Sequence, residues 1–315
     1  MASTNTWVVI INPTSGNGRS KKVWPQIEQL LQTHQFDFQY AFTDYPKHSA
    51  GIVHKAIQEG VLNFISVGGD GTLHNIVNAI MTQDLVVSSK VTVGIIPIGT
   101  GNDWVKTHGV PNRIEEAIQI IKNGQTGKQD IGKIEFINKS IAPVYFNNLA
   151  GVGFDGHVVS KVQKYKHIGA LAYLVGALLS LFSFKNFDST IVIGSKVVSG
   201  KTLMILVGLC KYSGGGMQLT KTPNPFDGLF DISIAQDFGR FEIIRNLSNL
   251  FNGEIINYKK VLSYKSSSII IQTNLNASLP FVQADGELIG VGDIEISLMP
   301  SAFSFYYNQN IKTQF

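Results

Sequence analysis

LNFISVGGDGTLHNIVNAI, residues Leu62 to Ile80, reads as a strand, a glycine turn and a helix. Phe64, Ile65 and Val67 suit a strand buried on both faces. The chain turns on Gly68 and Gly69 and passes through Asp70, Gly71 and Thr72. Leu73, Ile76, Val77 and Ile80 then recur at helical spacing. Glycines let the backbone approach a ligand closely, and the free N–H groups and dipole at the helix start favour an anion. This predicts a nucleotide-phosphate loop. Asp70 would repel a phosphate unless a metal or a proton lay between them, so it is the candidate for handling magnesium or a hydroxyl.

Two more loops of this kind lie on either side. Trp7 to Ile11 reads as a buried strand running into Asn12-Pro13-Thr14-Ser15-Gly16-Asn17-Gly18. A helix from about Ser20 to His34 follows, with Val23, Ile27, Leu30 and Leu31 inward. Phe38 to Phe42 is the next strand, ending at Thr43, and Ile52, Val53, Ala56 and Ile57 mark the helix after it. Val91 to Ile96 is a further strand, continued by PIGTGNDW. Ile114, Ala117, Ile118 and Ile121 give a helix stopped at Gly124. Alternating strands and helices predict an α/β layer with a parallel sheet, whose ligands bind beyond the carboxyl ends of the strands. All three glycine loops would sit on that edge.

From Gly127 onward strands dominate: 128–137, 142–149, 189–194, 197–209, 229–235, 261–273, 279–284, 293–299 and 302–307. Helices are expected at about 156–182 and 239–251. This predicts a mainly antiparallel β-sandwich domain over 128–300, after an α/β nucleotide-binding domain over 1–127. A C-terminal segment, 301–315, is free to return to the first domain.

Composition sets the outer limits. The 315 residues suffice for two cores, and 26 basic against 22 acidic side chains leave a net charge of +4. That is too mild to imply nucleic acid, but it suits an anionic membrane surface or a nucleotide. The single cysteine, Cys210, points to a reducing, cytoplasmic setting, and no signal peptide is read at the N-terminus. Ile168 to Phe184 carries no charge over 17 residues and follows Lys161, Lys164 and Lys166. Its plain reading is a half-buried helix. Its functional reading is a helix lining an acyl-chain site or touching the membrane.

Two phosphate-loop look-alikes are set aside. SKVVSGKT, residues 195–202, has Ser195 where a Walker loop needs glycine and lies in a hairpin. GVGFDG, residues 151–156, fits a dinucleotide fingerprint, but no acid follows about 20 residues later. Two late acidic turns remain. Asn224-Pro225-Phe226-Asp227-Gly228-Leu229-Phe230-Asp231 offers turn carbonyls and Asp227 to a hard cation. Gln283-Ala284-Asp285-Gly286-Glu287 alone means a hairpin.

Together GGDGTLHNIVNAI, PIGTGNDW, GVGFDG, KYSGGGM, PNPFDGLFD and QADGE, in this order, resemble the diacylglycerol kinase catalytic family, the bacterial lipid kinases related to sphingosine and ceramide kinases. The resemblance covers nearly the whole chain. GGDGT alone is shared with NAD kinases and phosphofructokinases; the late acidic turns favour lipid kinases. The resemblance implies ATP contacts at Asn12, Pro13, Thr14, Ser15, Gly16, Thr43, Gly68, Gly69, Asp70, Gly71, Thr72, Thr100, Asn102, Asp103 and Glu287. It implies magnesium at Asp227, helped by Asn224 and Leu229, and Asp285 as proton acceptor. Sphingosine kinases give that last role to the residue at the position of Asp70. One position departs: the family usually has Glu where this chain has Asn75.

The sequence is therefore read as an ATP- and magnesium-dependent lipid kinase, cytoplasmic and peripheral to the membrane that holds its lipid substrate. No nucleic-acid partner is expected, and a homodimer is compatible with the reading. Arg19, Lys21 and Lys22 are candidates for neutralising phosphate charge. Two alternatives stay open: NAD kinase-like phosphorylation of a soluble nucleotide, and a nucleotide-binding regulator without turnover, motivated by Asn75.

Overall fold

The computed structural model describes residues 6–99, 101–162, 183–273 and 279–307. Thr100, the apolar run 168–182 with Lys164 and Lys166 before it, and residues 308–315 lie outside the described residues. The chain divides into two compact units. One holds the chain as far as Asp130 and again from Pro300; the other holds Ile131–Met299.

In the first unit β1 (Thr6–Ile11), β2 (Asp37–Phe42), β3 (Asn63–Gly68) and β4 (Thr92–Pro97) pair in parallel in the order β4-β3-β1-β2. The register sets Ile11 beside Phe42 and Val67, and Gly68 beside Pro97, so all four carboxyl ends share one edge. The end of β15 (Ile294–Tyr306) adds in parallel beside β4, with Ser304 opposite Thr92. Helices α1 (Ser15–Thr33) and α5 (Ile114–Asn123) cover one face. They bury Trp24, Ile27, Leu31, Ile118 and Ile121 against Val9, Ile65, Val67 and Ile96. Helices α2 (His48–Gln58) and α3 (Asp70–Thr82) pack together, and α4 (Asp103–His108) follows the loop after β4. α1 starts earlier than its apolar pattern because Gly16, Asn17 and Gly18 make a left-handed turn ahead of the regular helix.

The second unit is antiparallel throughout its paired strands. β7 (Leu149–Gly153), β8 (Phe187–Ile193), β9 (Lys196–Gly208), β12 (Ser268–Thr273), β13 (Phe281–Ala284) and β14 (Glu287–Val291) run in the order β14-β13-β7-β9-β8-β12, and β12 pairs with the first part of β15. β10 (Phe230–Gln236) joins β9 to β11 (Val261–Ser266), and β5 (Thr126–Phe136) pairs with β6 (Val144–Phe146). The expected parallel α/β domain and antiparallel β-sandwich domain are both present.

Several boundaries differ from expectation. The strand expected over 261–273 is two, because the Ser266 hydroxyl donates to the Ser268 carbonyl at 2.8 Å and turns the chain. The two strands expected over 293–307 are one. β15 passes Pro300 with Ser301 at φ 50°, where Asp130 accepts the Ser301 N–H at 2.7 Å. The helix expected over 239–251 is two short ones, α7 (Arg240–Arg245) and α8 (Asn249–Asn252). α6 (Phe154–Val162) begins where the 156–182 helix was expected.

Candidate active site

The three glycine loops meet at the carboxyl edge of the parallel sheet. Ile98 N–H donates to Gly68 O at 2.8 Å and Asn12 N–H to Val67 O at 3.1 Å, which ties both neighbouring strand ends to β3. Asn12 Nδ2 donates to Thr72 Oγ1 at 3.2 Å, and its Oδ1 accepts from the N–H and hydroxyl of Thr14. Ser15 Oγ lies 3.4 Å from Thr72 Oγ1. Gly16, at φ 59°, sits where a Cβ would come 2.9 Å from Ile98 O. Thr43 closes β2 with its N–H on Ile11 O at 2.9 Å. Pro13 lies in the loop after β1, and Gly71 in the first turn of α3. Arg19, Lys21 and Lys22 project from α1 into solvent.

Gly69 and Gly99 are the point of closest approach. A Cβ on Gly69 would lie 3.1 Å from the Gly99 Cα; one on Gly99 would lie 2.7 Å from the Gly69 Cα and 2.3 Å from Asn102 Oδ1. Asn102 is buried and left-handed, at φ 48°. Its Nδ2 donates to Gly99 O at 3.1 Å and to Asn112 Oδ1 at 3.2 Å, while its Oδ1 has no hydrogen-bond partner among the described residues. Side-chain-free backbone, strand-end hydroxyls and an orphaned acceptor together fit a nucleotide polyphosphate and its polar appendages.

Asp70 has a structural duty in this arrangement. Its Oδ2 accepts the Asp103 N–H at 2.8 Å and its Oδ1 the Trp104 N–H at 3.3 Å. These are donors at the start of α4, which has no acceptors for them within itself. The Asp103 carboxylate in turn pairs with Lys106 at 3.0 Å. Asn75 Nδ2 bonds back to Gly71 O at 2.9 Å, within its own helix.

The second unit repeats the device. Asp285, in the left-handed turn between β13 and β14 at φ 49°, accepts three backbone N–H groups: Asn147 at 3.0 Å, Asn148 at 2.9 Å and Leu149 at 3.1 Å. Glu287 opens β14 opposite Ala284 and is half-buried. Asp231, which is buried, accepts the N–H groups of Lys221 and Thr222, each at 2.9 Å.

At the turn before β10 the picture is different. Asp227 Oδ2 pairs with Lys265 Nζ at 3.0 Å and Oδ1 accepts the Leu229 N–H at 3.1 Å. Asn224 Oδ1 accepts the Phe226 N–H at 3.0 Å. A lysine ammonium thus stands where a cation would sit, and no group of three acidic, His or Cys side chains able to hold a metal occurs among the described residues. The side chains of this turn are arranged as a closed ion pair and do not fit a magnesium cage as they stand.

Sequence reasoning missed two residues that hold the Asp285 turn. Gln283 Oε1 accepts the Gly286 N–H at 2.8 Å, and its Nε2 donates to Asp155 Oδ2 at 2.6 Å. Burial pushes the Asp155 carboxyl up to about 6, against the pull of Gln283. GVGFDG, set aside as a dinucleotide fingerprint, therefore supplies a carboxyl that packs beneath the later acidic turn. The signal was available: both segments stand among the motifs that carry the resemblance.

The chain is similar to known proteins over most of its length. Residues 6–134 match the diacylglycerol kinase catalytic domain, and residues 148–307 match the YegS C-terminal NAD kinase beta sandwich-like domain. The diacylglycerol kinase of Staphylococcus epidermidis is 30% identical over 284 residues, covering 90% of this chain and 85% of that one. The diacylglycerol kinase of Bacillus subtilis is 29% identical over 292 residues, covering 90% of each. A crystal structure of a diacylglycerol kinase from Bacillus anthracis superposes with a TM-score of 0.74 at 23% identity, over 99% of this chain and all of that one; at that identity it speaks for the fold.

Proposed function

The chain belongs to the diacylglycerol kinase catalytic family, and from that premise we propose that it transfers the γ-phosphoryl group of ATP, with magnesium, to the hydroxyl of a membrane lipid. The observation that carries the reading is the meeting of Gly69 and Gly99, which leaves bare backbone at the edge where the strands end. Asn12, Thr14, Ser15 and Thr72 would offer hydroxyl and amide donors to the phosphates there. Bound ATP supplies the phosphoryl group, and magnesium neutralises charge on it; phosphoryl transfer asks mainly for positioning and electrostatics. The chain's own contribution begins with Asp70, which holds the start of α4 and so fixes the loop from Ile98 to Asn102.

Asp285 is proposed as the proton acceptor for the lipid hydroxyl. A carboxylate offers about four lone-pair positions. Backbone donors engage two positions on Oδ1 and one on Oδ2, which fixes the orientation of the carboxylate. Magnesium at Asp227 would have to displace Lys265, and no step is assigned to it. Incubation with radiolabelled ATP, magnesium and a panel of diacylglycerol, phosphatidylglycerol, a sphingoid base, a polyprenol and NAD tests the function. Label in a lipid is the expected result. Label in NAD alone would establish the soluble-nucleotide alternative, and ATP binding without transfer to any acceptor would establish the regulator.

A further inference from the structure

GVGFDG, residues 151–156, runs from β7 into α6, and two of its glycines make room for one contact. A Cβ on Gly156 would lie 2.6 Å from Phe281 O, so α6 packs directly on the backbone of β13. A Cβ on Gly151 would collide with Asp155 Oδ2 and lie 2.8 Å from Gln283 Nε2. The bare Cα at 151 therefore leaves the space in which Asp155 and Gln283 meet.

That contact is the first of two hydrogen bonds leading to the Asp285 turn. Gln283, 3% exposed, donates from Nε2 to Asp155 Oδ2 at 2.6 Å and accepts the Gly286 N–H on Oε1 at 2.8 Å. The two bonds fix each other. The Gly286 N–H can only donate, so Oε1 must face it, and Nε2 then needs an acceptor, which Asp155 supplies. On the other side the Asp285 N–H donates to Leu149 O at 2.9 Å, and its carboxylate takes the N–H groups of Asn147, Asn148 and Leu149. The turn is thus held at its carboxylate by the chain entering β7 and at Gly286 by Gln283.

A hairpin needs no such support. Asp285 and Gly286, left-handed at φ 49° and 80°, make a two-residue turn that Asp-Gly forms by itself. Asp155 is moreover an expensive anchor. The residue as a whole is half-buried, but its carboxyl is sunk against β7 and β13, where burial pushes it up to about 6. The other titratable side chains on α6 and on the strands it packs against, β7, β9, β13 and β14, are His157, Lys161, Lys196, Lys201 and Glu287. A carboxyl taken out of water to meet one amide adds little stability; what it adds is a single geometry.

We propose that Asp155 and Gln283 are positioning residues for the Asp285 carboxylate. Asp155 orients the Gln283 amide, the amide holds the Gly286 N–H, and the turn so held aims the carboxylate at the acceptor hydroxyl. That last step rests on the reading of Asp285 as proton acceptor.

The test is steady-state kinetics with ATP and a short-chain diacylglycerol, well below the melting temperature. Asp155→Ala should lower kcat about tenfold to hundredfold and leave the KM for ATP within about threefold. Asp155→Asn, whose amide oxygen can accept from Nε2, should recover most of that loss. In an Asp285→Asn background, Asp155→Ala should cost no more than about twofold further, because it acts through a carboxylate already removed. Gln283→Glu keeps an acceptor for the Gly286 N–H but sets a second carboxyl against Asp155, and two carboxyls in contact share one proton. Its kcat relative to the parent should therefore rise as the pH falls from about 8 to about 6. Provided that Asp285→Asn itself loses turnover, equal losses from Asp155→Ala in both backgrounds, parental kcat in a folded Asp155→Ala protein, or a Gln283→Glu ratio independent of pH overturns the proposal. The amide resonances of Asn147, Asn148 and Leu149 report the carboxylate without turnover and should shift in Asp155→Ala. Shifted resonances with parental kcat in Asp285→Asn would uphold the positioning and refute Asp285 as proton acceptor. Unshifted resonances with turnover lost in Asp285→Asn would do the reverse.

Discussion

The carboxylate of Asp70 accepts the backbone N–H of Asp103 at 2.8 Å, a bond across 33 residues of chain. It joins the start of α3 to the start of α4, the helix that follows the loop after β4. Without it two N–H groups at the head of α4 lose their acceptor. Asp70→Ala should cost about 1–2 kcal/mol of stability, as loss of a helix cap does. The loop from Ile98 to Asn102 would then be free to leave the glycine edge, so ATP affinity measured by calorimetry should fall at least about tenfold. Asp70→Asn keeps one acceptor oxygen and should fall between the two. Parental affinity in a folded Asp70→Ala protein would take the nucleotide away from this edge.

Glycine is needed at 69 and 99 for space. Gly69 has φ −103° and ψ −168°, an extended conformation open to any residue. Its Cβ would nevertheless press on Gly99, and a Cβ on Gly99 would collide both with Gly69 and with Asn102. Gly99→Ala should therefore be the more damaging, with an overpacking cost of about 1–3 kcal/mol in addition to lost ATP binding. Gly69→Ala should melt closer to the parent and lose mainly affinity. The reverse order, read from melting and calorimetry together, would contradict the packing described here.

How much of this was legible in sequence follows from which forces act locally. The strand–turn–helix of Phe64 to Ile80 and its neighbours could be read because apolar period and glycine spacing are local. β14 could not, since Glu287 to Val291 alternates weakly and exists by pairing with β13. The break at Ser267 and the continuity of β15 through Pro300 rest on hydrogen bonds made by the side chains of Ser266 and Asp130. The acidic residues were found, but their attachments were not. Asp70, Asp231 and Asp285 each accept backbone N–H groups from another part of the chain, a relation that no spacing reveals. The Asp155–Gln283 bond, 128 residues apart in sequence, is of the same kind.

His108 gives the first unit a pH dependence. It is buried against Trp104, 4.0 Å between ring centroids, and against Phe305 at 4.6 Å. Desolvation lowers it to about 3, opposed by a hydrogen bond with Gln129. The unfolded chain takes up this proton near its ordinary value of 6.5, the folded chain only near 3, so between these values the unfolded state holds more protons. Stability from this residue is full above about 6.5 and falls as the pH drops toward 3. His108→Phe should melt lower than the parent by less at pH 4.5 than at pH 7.5, because the variant no longer suffers the acid loss. A melting difference independent of pH would mean that His108 is protonated in the folded protein.

Lys265 decides how the Asp227 turn can treat a cation. Its ammonium pairs with Oδ2 at 3.0 Å, both side chains being partly exposed, so the pair itself contributes at most about 1 kcal/mol. Lys265→Gln removes the competing charge. If magnesium uses Asp227 with the turn carbonyls, the variant should bind it about tenfold more tightly than the parent by calorimetry, at little cost in melting temperature. Asp227→Ala should abolish that binding. Equal magnesium affinity in all three proteins would place the ion elsewhere.

The last question is which carboxylate takes the proton, and the three N–H donors on Asp285 make it answerable. Asp285→Asn leaves one oxygen for the N–H groups of Asn147, Asn148 and Leu149 and sets an NH₂ against at least one of them. A buried donor without a partner costs about 1–3 kcal/mol, so this variant should melt several degrees lower whatever its role in chemistry. Melting alone cannot therefore identify a base. Turnover measured well below the melting temperature can, because there the protein is folded and only the chemical step is compared. If Asp285 is the proton acceptor, kcat with saturating lipid and ATP should fall by about 10²–10⁴, the usual contribution of a positioned base, while ATP affinity holds. Glu287→Gln leaves the Asp285 carboxylate in place to accept the three N–H groups and should keep kcat within about tenfold. The opposite pattern, a mild kinetic defect at 285 and a severe one at 287, would leave Asp285 as the clamp of the turn and transfer the proton to Glu287.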